Sequence, residues 1–281
     1  MKHLNIPWMC ITLFIKTLTE MKKYLLFLIS GILAFTSCDM LGDIFDQDKE
    51  NEKEIPDVEN AWTPIEGQQV SQIVWENTKK SGTWKFTYDE SGRIKVVTST
   101  IGSTTDTWKF YYREESIVVK ENGSTEYEFK LNESGFTTEL YKNGKLHTEF
   151  NIDGTGRVHS CQTLNSNSFE FFWSQGNLMS ITHPSVSASP VALTSYTGIR
   201  NMTNIDCTAL IGDVWYEFEY YVKSGGLTPF ALFGIYGKSC EELPASSTWN
   251  NSTRSFTYEY QSDGCPKHIT SSIGERYTFT Y

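Results

Sequence analysis

Between residues 82 and 176 the chain repeats one pattern, in which a short run of alternating large apolar and polar side chains is followed by a pair of turn-forming residues. Trp84, Phe86 and Tyr88 alternate with Lys85, Thr87 and Asp89, and Tyr127, Phe129 and Leu131 alternate with Glu126, Glu128 and Lys130. A period of two places alternate side chains on opposite faces of an extended chain. The pattern returns at Leu146, Thr148, Phe150 and Ile152, at Phe256, Tyr258 and Tyr260, and at Tyr277, Phe279 and Tyr281. Between the runs stand Ser91-Gly92, Asn122-Gly123, Ser134-Gly135, Asn143-Gly144, Asp153-Gly154, Gln175-Gly176 and Asp263-Gly264. Asn-Gly and Asp-Gly suit the two positive-φ positions of a type I′ hairpin turn. Turns about every ten residues leave no room for crossover helices, so the strands must run antiparallel. One hairpin cannot bury its aromatic face alone, and each must continue the sheet of the last. The expected fold is all-β, a long antiparallel meander forming a large sheet or a barrel-like structure.

The chain has 281 residues, enough for one large β domain, and its 14% aromatic content favours pleated sheet. A formal net charge of -10 without a Lys/Arg cluster argues against nucleic acid, whose phosphates require such clusters.

The N-terminus reads as targeting sequence. From Met21, "MKKYLLFLISGILAFTSC" has two lysines, an apolar core from Tyr24 to Phe35, and small or polar residues before Cys38. The apolar run is short of the ~20 residues that a spanning helix needs. Residues 21–37 are therefore expected to be a lipoprotein signal peptide, with Cys38 the lipidated first residue and the membrane a partner through that lipid. Residues 1–20 fit no part of this scheme and read as an upstream extension. Residues 38–60 hold nine Asp or Glu against two Lys. With so little apolar surface, such a segment is expected to be a disordered acidic tether. The β domain is expected over 61–281.

Around 183–213 the meander breaks in "HPSVSASPVALTSYTGIRNMTNIDCTAL", an excursion expected to be partly helical, with a short helix capped near "NID". It is expected either to plug one end of the sheet or to form a binding rim. The following "VWYEFEYYV" reads as a strand, and "GGLTPFALFGIYG" as a buried segment.

The hairpins resemble the YD repeats of bacterial surface proteins, with Tyr88-Asp89 and Gly92-Arg93 in the expected places. "NIDCTALI", "LFGIYGKSCEELPA", "FTYEYQSDGCPKHITSS" and the terminal "YTFTY" together resemble a Bacteroidota lipoprotein family of unknown function with a porin-like β fold. The resemblance implies a large antiparallel β structure and no activity. The acidic stretch after Cys38 also resembles the signal that sends such lipoproteins to the outer face of the outer membrane. A membrane-spanning barrel needs strands of about 9 to 11 residues with aromatics in two girdles. The alternating runs here are shorter and carry aromatics along their whole length, so a lipid-tethered domain with an aromatic interior is the expectation.

Motifs for chemistry are absent. "GIYGKS" has the tail of a phosphate-binding loop, but Leu232 stands where its first glycine must be. His147 and His159 lack ligand spacing, and neither H-E-x-x-H nor G-x-S-x-G occurs. No catalytic residue, metal or cofactor is expected, and acidic pairs such as Glu114-Glu115 read as solvated loop charges. Cys161, Cys207, Cys240 and Cys265 permit disulfides, Cys240 with Cys265 or Cys207 being the preferred pairing, or stand as buried thiols.

Four aromatics, Tyr111, Phe172, Trp215 and Tyr221, fall out of phase with the buried faces of their segments; they are expected either to mark a binding surface or, where the sheet is covered on both sides or a bulge shifts the phase, to be ordinary core. The resulting expectation is a non-catalytic, surface-displayed lipoprotein holding a glycan or protein ligand. A barrel carrier of an apolar ligand and a polysaccharide-hydrolase accessory are the alternatives. Replacing Cys38 with Ser should release the protein from washed membranes, because acyl chains supply the anchoring affinity. Retention of the variant in the membrane pellet would contradict the lipoprotein assignment.

Overall fold

The structure is a computed structural model that describes residues 62–281, apart from 165–166, 188 and 224–227. The upstream extension, signal peptide, Cys38 and acidic tether lie outside the described residues. The first eight strands are β1 (Gln72–Glu76), β2 (Ser81–Tyr88), β3 (Ile94–Ile101), β4 (Thr104–Arg113), β5 (Ser116–Glu121), β6 (Thr125–Leu131), β7 (Thr137–Lys142) and β8 (Lys145–Ile152). They continue as β9 (Val158–Thr163), β10 (Ser168–Ser174), β11 (Asn177–Thr182), β12 (Pro190–Arg200), β13 (Glu242–Trp249), β14 (Ser252–Tyr260), β15 (Pro266–Ser271) and β16 (Arg276–Thr280). Each strand pairs antiparallel with the next, and β1 pairs with β16, Ile73 opposite Phe279 and Trp75 opposite Tyr277, so the meander closes into a sixteen-stranded barrel.

Two kinds of turn recur in the hairpins. Odd-to-even connections form the upper rim, where Asn122-Gly123 and Asn143-Gly144 take positive φ at both residues (51° and 69°, 51° and 72°), as their hairpins require. Even-to-odd connections form the lower rim. There Asp89, Asn132 and Asp153 each open a turn whose side-chain oxygen accepts the backbone N–H groups two and four residues on, at 2.8–3.1 Å. This Asx-braced turn recurs with Gly three residues after the Asp or Asn, as at Asp89 and Gly92, Asn132 and Gly135, and Asp153 and Gly156.

The break in the meander is displaced from its expected place. Pro190–Arg200 is strand β12, and the irregular insertion runs from 201 to 241 between β12 and β13. It contains α1 (Cys207–Ile211), α2 (Asp213–Lys223) and a 3-10 turn (Ala231–Phe233). Asp206 caps α1, accepting from the N–H of Thr208 and Ala209 at 2.8 and 3.3 Å, so the "NID" signal holds. "VWYEFEYYV" is helix α2, contrary to the strand expected from sequence. Its aromatics at 215, 216, 218, 220 and 221 suit either periodicity. Inside a closed barrel no strand edge is free, so the segment must satisfy its own backbone groups.

The insertion fills the lumen. Phe218 meets Phe150, Phe169, Phe171 and Tyr236 at ring separations of 5.2–5.9 Å, Phe230 meets Tyr127 and Phe129 at 4.8–5.0 Å, and Phe233 meets Phe86 at 5.4 Å. Cys161, Cys207, Cys240 and Cys265 are buried free thiols, so neither expected pairing forms. On the outer wall the alternation leaves Lys85, Lys109, Glu126, Glu128, Lys130, Glu149 and Glu170 facing away from the lumen, as their pairings require. A bilayer-spanning barrel carries apolar residues on that face, where a Lys near the midplane costs roughly 2–4 kcal/mol and a Glu somewhat less.

Phe218→Ala should cost about 3–5 kcal/mol, because the truncated side chain touches aromatic rings from two strands and a loop. Phe172→Ala, on the outer wall at 63% exposure, should change stability by less than about 0.5 kcal/mol. Urea unfolding of both variants checks the contrast, and equal losses would refute the lumen-plug account.

Candidate ligand-binding cleft

Helix α2 crosses the lumen below the upper rim and is tied to opposite walls at its two ends. At its N-terminus the Asp213 backbone N–H donates to Ser247 Oγ (2.9 Å), the Ser247 hydroxyl donates back to the Asp213 carboxylate (2.7 Å), and Arg254 of β14 ion-pairs with that carboxylate. At its C-terminus Lys223 Nζ lies 2.7 Å from Glu121 of β5 and 3.2 Å from Asp106 of β4. An acidic first turn and a basic last turn also complement the helix dipole.

The helix divides the mouth. On one side Trp215, Phe218 and Val222 pack into the core. On the other, Tyr216, Glu219 and Lys223, spaced three and four residues apart, face a cavity of about 680 Å3. That volume lies within the range of roughly 300–1,000 Å3 usual for small-molecule sites. Trp75, Trp84, Trp108, Trp249 and Tyr277 line its walls, so four of the eight tryptophans in the chain converge on one cleft. Trp84 and Trp108 stack at 5.8 Å with planes 9° apart, and Tyr216 meets Trp249 edge-on at 5.8 Å.

Two charged clusters flank these rings. Lys223 is shared by Asp106 and Glu121 and rests 4.9 Å over the Trp108 ring, while Arg254 is shared by Asp213 and Glu275, the latter at 2.8 Å. Asp106 is held below the usual carboxylate range, mainly by the Asn122 amide, with Lys223 adding to the effect. Burial pulls the Arg254 guanidinium down, but Asp213 and Glu275 more than offset this and raise it. Four carboxylates thus face two cations, leaving the cleft an excess of negative charge. Glu219, fully buried at the cleft floor, is pushed up to about 7 by desolvation, although the N–H groups of Thr228 and Ala231 donate to it at 3.1 and 3.0 Å. Trp108 is 1% exposed, and its indole N–H has no acceptor among the described residues.

The four aromatics singled out from sequence do not form one surface. Tyr111 and Phe172 do stand on the outer wall, but on β4 and β10, well separated around the barrel. Trp215 is 4% exposed and packs on Phe171 and Tyr236 inside the lumen; Tyr221 packs on Phe169 and His183 there. Their apparent phase error came from reading α2 as a strand. The cleft residues went unrecognised because Trp84 and Trp108 share the inward phase with ordinary core. The available signal was tryptophan at inward positions beside upper-rim turns, as at Trp75 and Trp249. Among the described residues no cluster of His, Cys, Asp or Glu has metal-binding form.

With fold and cleft in view, this is a closed antiparallel barrel of porin-like architecture, plugged by its own insertion. A porin-like protein from Bacteroides uniformis superposes with a TM-score of 0.57 at 12% identity, covering 79% of this chain and 99% of the other. A porin-like protein from Bacteroides vulgatus gives 0.48 at 16% identity, covering 76% and 98%. The first likeness establishes the fold. No family model and no curated protein matches the sequence.

The buried Glu219 predicts a pH signature. Its native value of about 7 exceeds the ordinary 4.5, so the folded state holds the proton more tightly than the unfolded chain. The resulting contribution to stability is fully present below about pH 4.5 and is lost as pH rises to about 7, a total of roughly 3 kcal/mol. Glu219→Gln should lose this dependence, so its stability relative to the parent should rise between pH 5 and pH 7.5, within that ~3 kcal/mol. Parallel urea curves at the two pH values, with a constant difference between the proteins, would contradict the assignment.

Proposed function

We propose that this chain is a non-catalytic, lipid-anchored protein of the bacterial cell envelope that binds a small ligand in the upper-rim cleft. What carries the reading is the convergence of Trp75, Trp84, Trp108, Tyr216 and Trp249 with two charged clusters on a cavity of about 680 Å3. Rings and paired charges on fixed elements form a preorganised surface, which lowers the ordering cost of binding. Anchoring rests on Cys38 and the signal-like segment before it, and display on the outer face rests on the acidic stretch that follows. The charged outer wall supports a barrel that stands in water on its tether.

Binding rather than catalysis is favoured because Asp106, Asp213 and Glu275 are each engaged by a cation and Glu219 is committed to two backbone amides. A carrier role for the lumen receives less support, since Phe218, Phe230, Phe233 and Tyr236 occupy it.

The test is a thermal-shift screen of saccharides, peptides and lipids against the mature protein and two variants. Trp249→Ala alters the cleft and Phe172→Ala alters the outer wall. Shifts produced by hits should shrink with Trp249→Ala and persist with Phe172→Ala. Hits lost only with Phe172→Ala would move the site to the outer wall and overturn the proposal.

A further inference from the structure

Resting on the cleft as the binding site, we infer that its ligand is a saccharide without acidic groups, either neutral or bearing amines. A pyranose ring has two apolar C–H faces and an equatorial belt of hydroxyls. It therefore needs flat π surfaces above or below and hydrogen-bonding groups around the edge. The cleft supplies both. Trp75, Trp249 and Tyr216 are half-buried and line its walls, leaving ring surface for stacking, while the clusters centred on Lys223 and Arg254 stand at its flanks.

The polar groups are of mixed kind, which suits hydroxyls that both donate and accept. Asp106, Asp213 and Glu275 accept; Lys223 and Arg254 donate. Trp108 adds a buried indole N–H, without an acceptor among the described residues, on the cleft wall. An apolar ligand would strip water from these paired charges without replacing its hydrogen bonds, at a cost for each. Charge decides the sign of the ligand. Each cation is already shared between two carboxylates, so neither is free to neutralise an acidic sugar, and the surplus negative charge repels one. An ammonium group on the sugar would instead meet carboxylates and aromatic faces, both of which attract it.

The experiment uses three probes on the mature protein at neutral pH: a mixture of neutral gluco- and xylo-oligosaccharides, chitosan oligosaccharides, and oligogalacturonates. Tryptophan fluorescence and isothermal titration report binding. The neutral or the amino arm should bind, with the acidic arm at least about tenfold weaker. Trp249→Ala and Tyr216→Ala should each weaken binding by roughly tenfold, the loss of one ring contact. Glu275→Gln, which removes one of the two carboxylates sharing Arg254, should narrow the gap to the acidic arm. Equal or tighter binding of oligogalacturonate overturns the inference. So does silence from all three probes at millimolar concentration. If the thermal-shift screen finds a non-saccharide ligand lost in Trp249→Ala, the cleft stands as a site and only its sugar assignment falls.

Discussion

Closing sixteen strands into one ring creates a lumen that the wall side chains cannot fill, and everything distinctive about this protein answers that constraint. About eight strands give an interior that side chains just fill, whereas 16 to 18 leave an aqueous channel. Here the inward face is apolar and rich in aromatics, so an open lumen would expose Trp84, Phe86, Phe110, Phe129, Phe150 and Phe171 to water. The insertion between β12 and β13 removes that exposure by bringing Phe218, Phe230, Phe233 and Tyr236 among them. Wall and plug are stable only together, because neither can cover its apolar surface alone.

The cleft follows from the way the plug is held. An eleven-residue helix is fixed at Asp213 by Arg254 and Ser247 and at Lys223 by Glu121 and Asp106, and it spans the mouth as a strut. Its buried face completes the core. Its other face, with the tryptophans nearest the upper rim, is left to border a cavity. Asp106, Asp213, Lys223 and Arg254, which hold the strut, also line the cleft. Changes to Asp213 or Lys223 would disturb both, whereas Trp249 and Tyr216 take no part in those ion pairs.

Porin-like architecture here describes backbone topology and leaves the chemistry of the two surfaces to the sequence. In a spanning barrel the apolar residues face outward and the polar ones inward. This chain reverses that arrangement, with Lys, Glu and Thr outside and aromatics inside, while keeping strand number and closure. Topology depends on hairpin register and turn type, and the medium a barrel faces depends on which phase of the alternation is apolar.

By itself the sequence determined the antiparallel meander, the inward aromatic phase and the turns, because these depend on neighbours two to five residues apart. Asn122-Gly123 and Asp89 with Arg93 illustrate such local rules. The cap at Asp206 was legible for the same reason. The tertiary structure alone decided that Ile73 would meet Phe279 and close the ring, that "VWYEFEYYV" would be helix, and that Tyr216 would face the cleft while Trp215 turned into the core. Each depends on contacts between residues far apart in the chain. A segment whose aromatics fit both periods takes its form from the partner available to its backbone. In a closed lumen there is no strand edge to offer one.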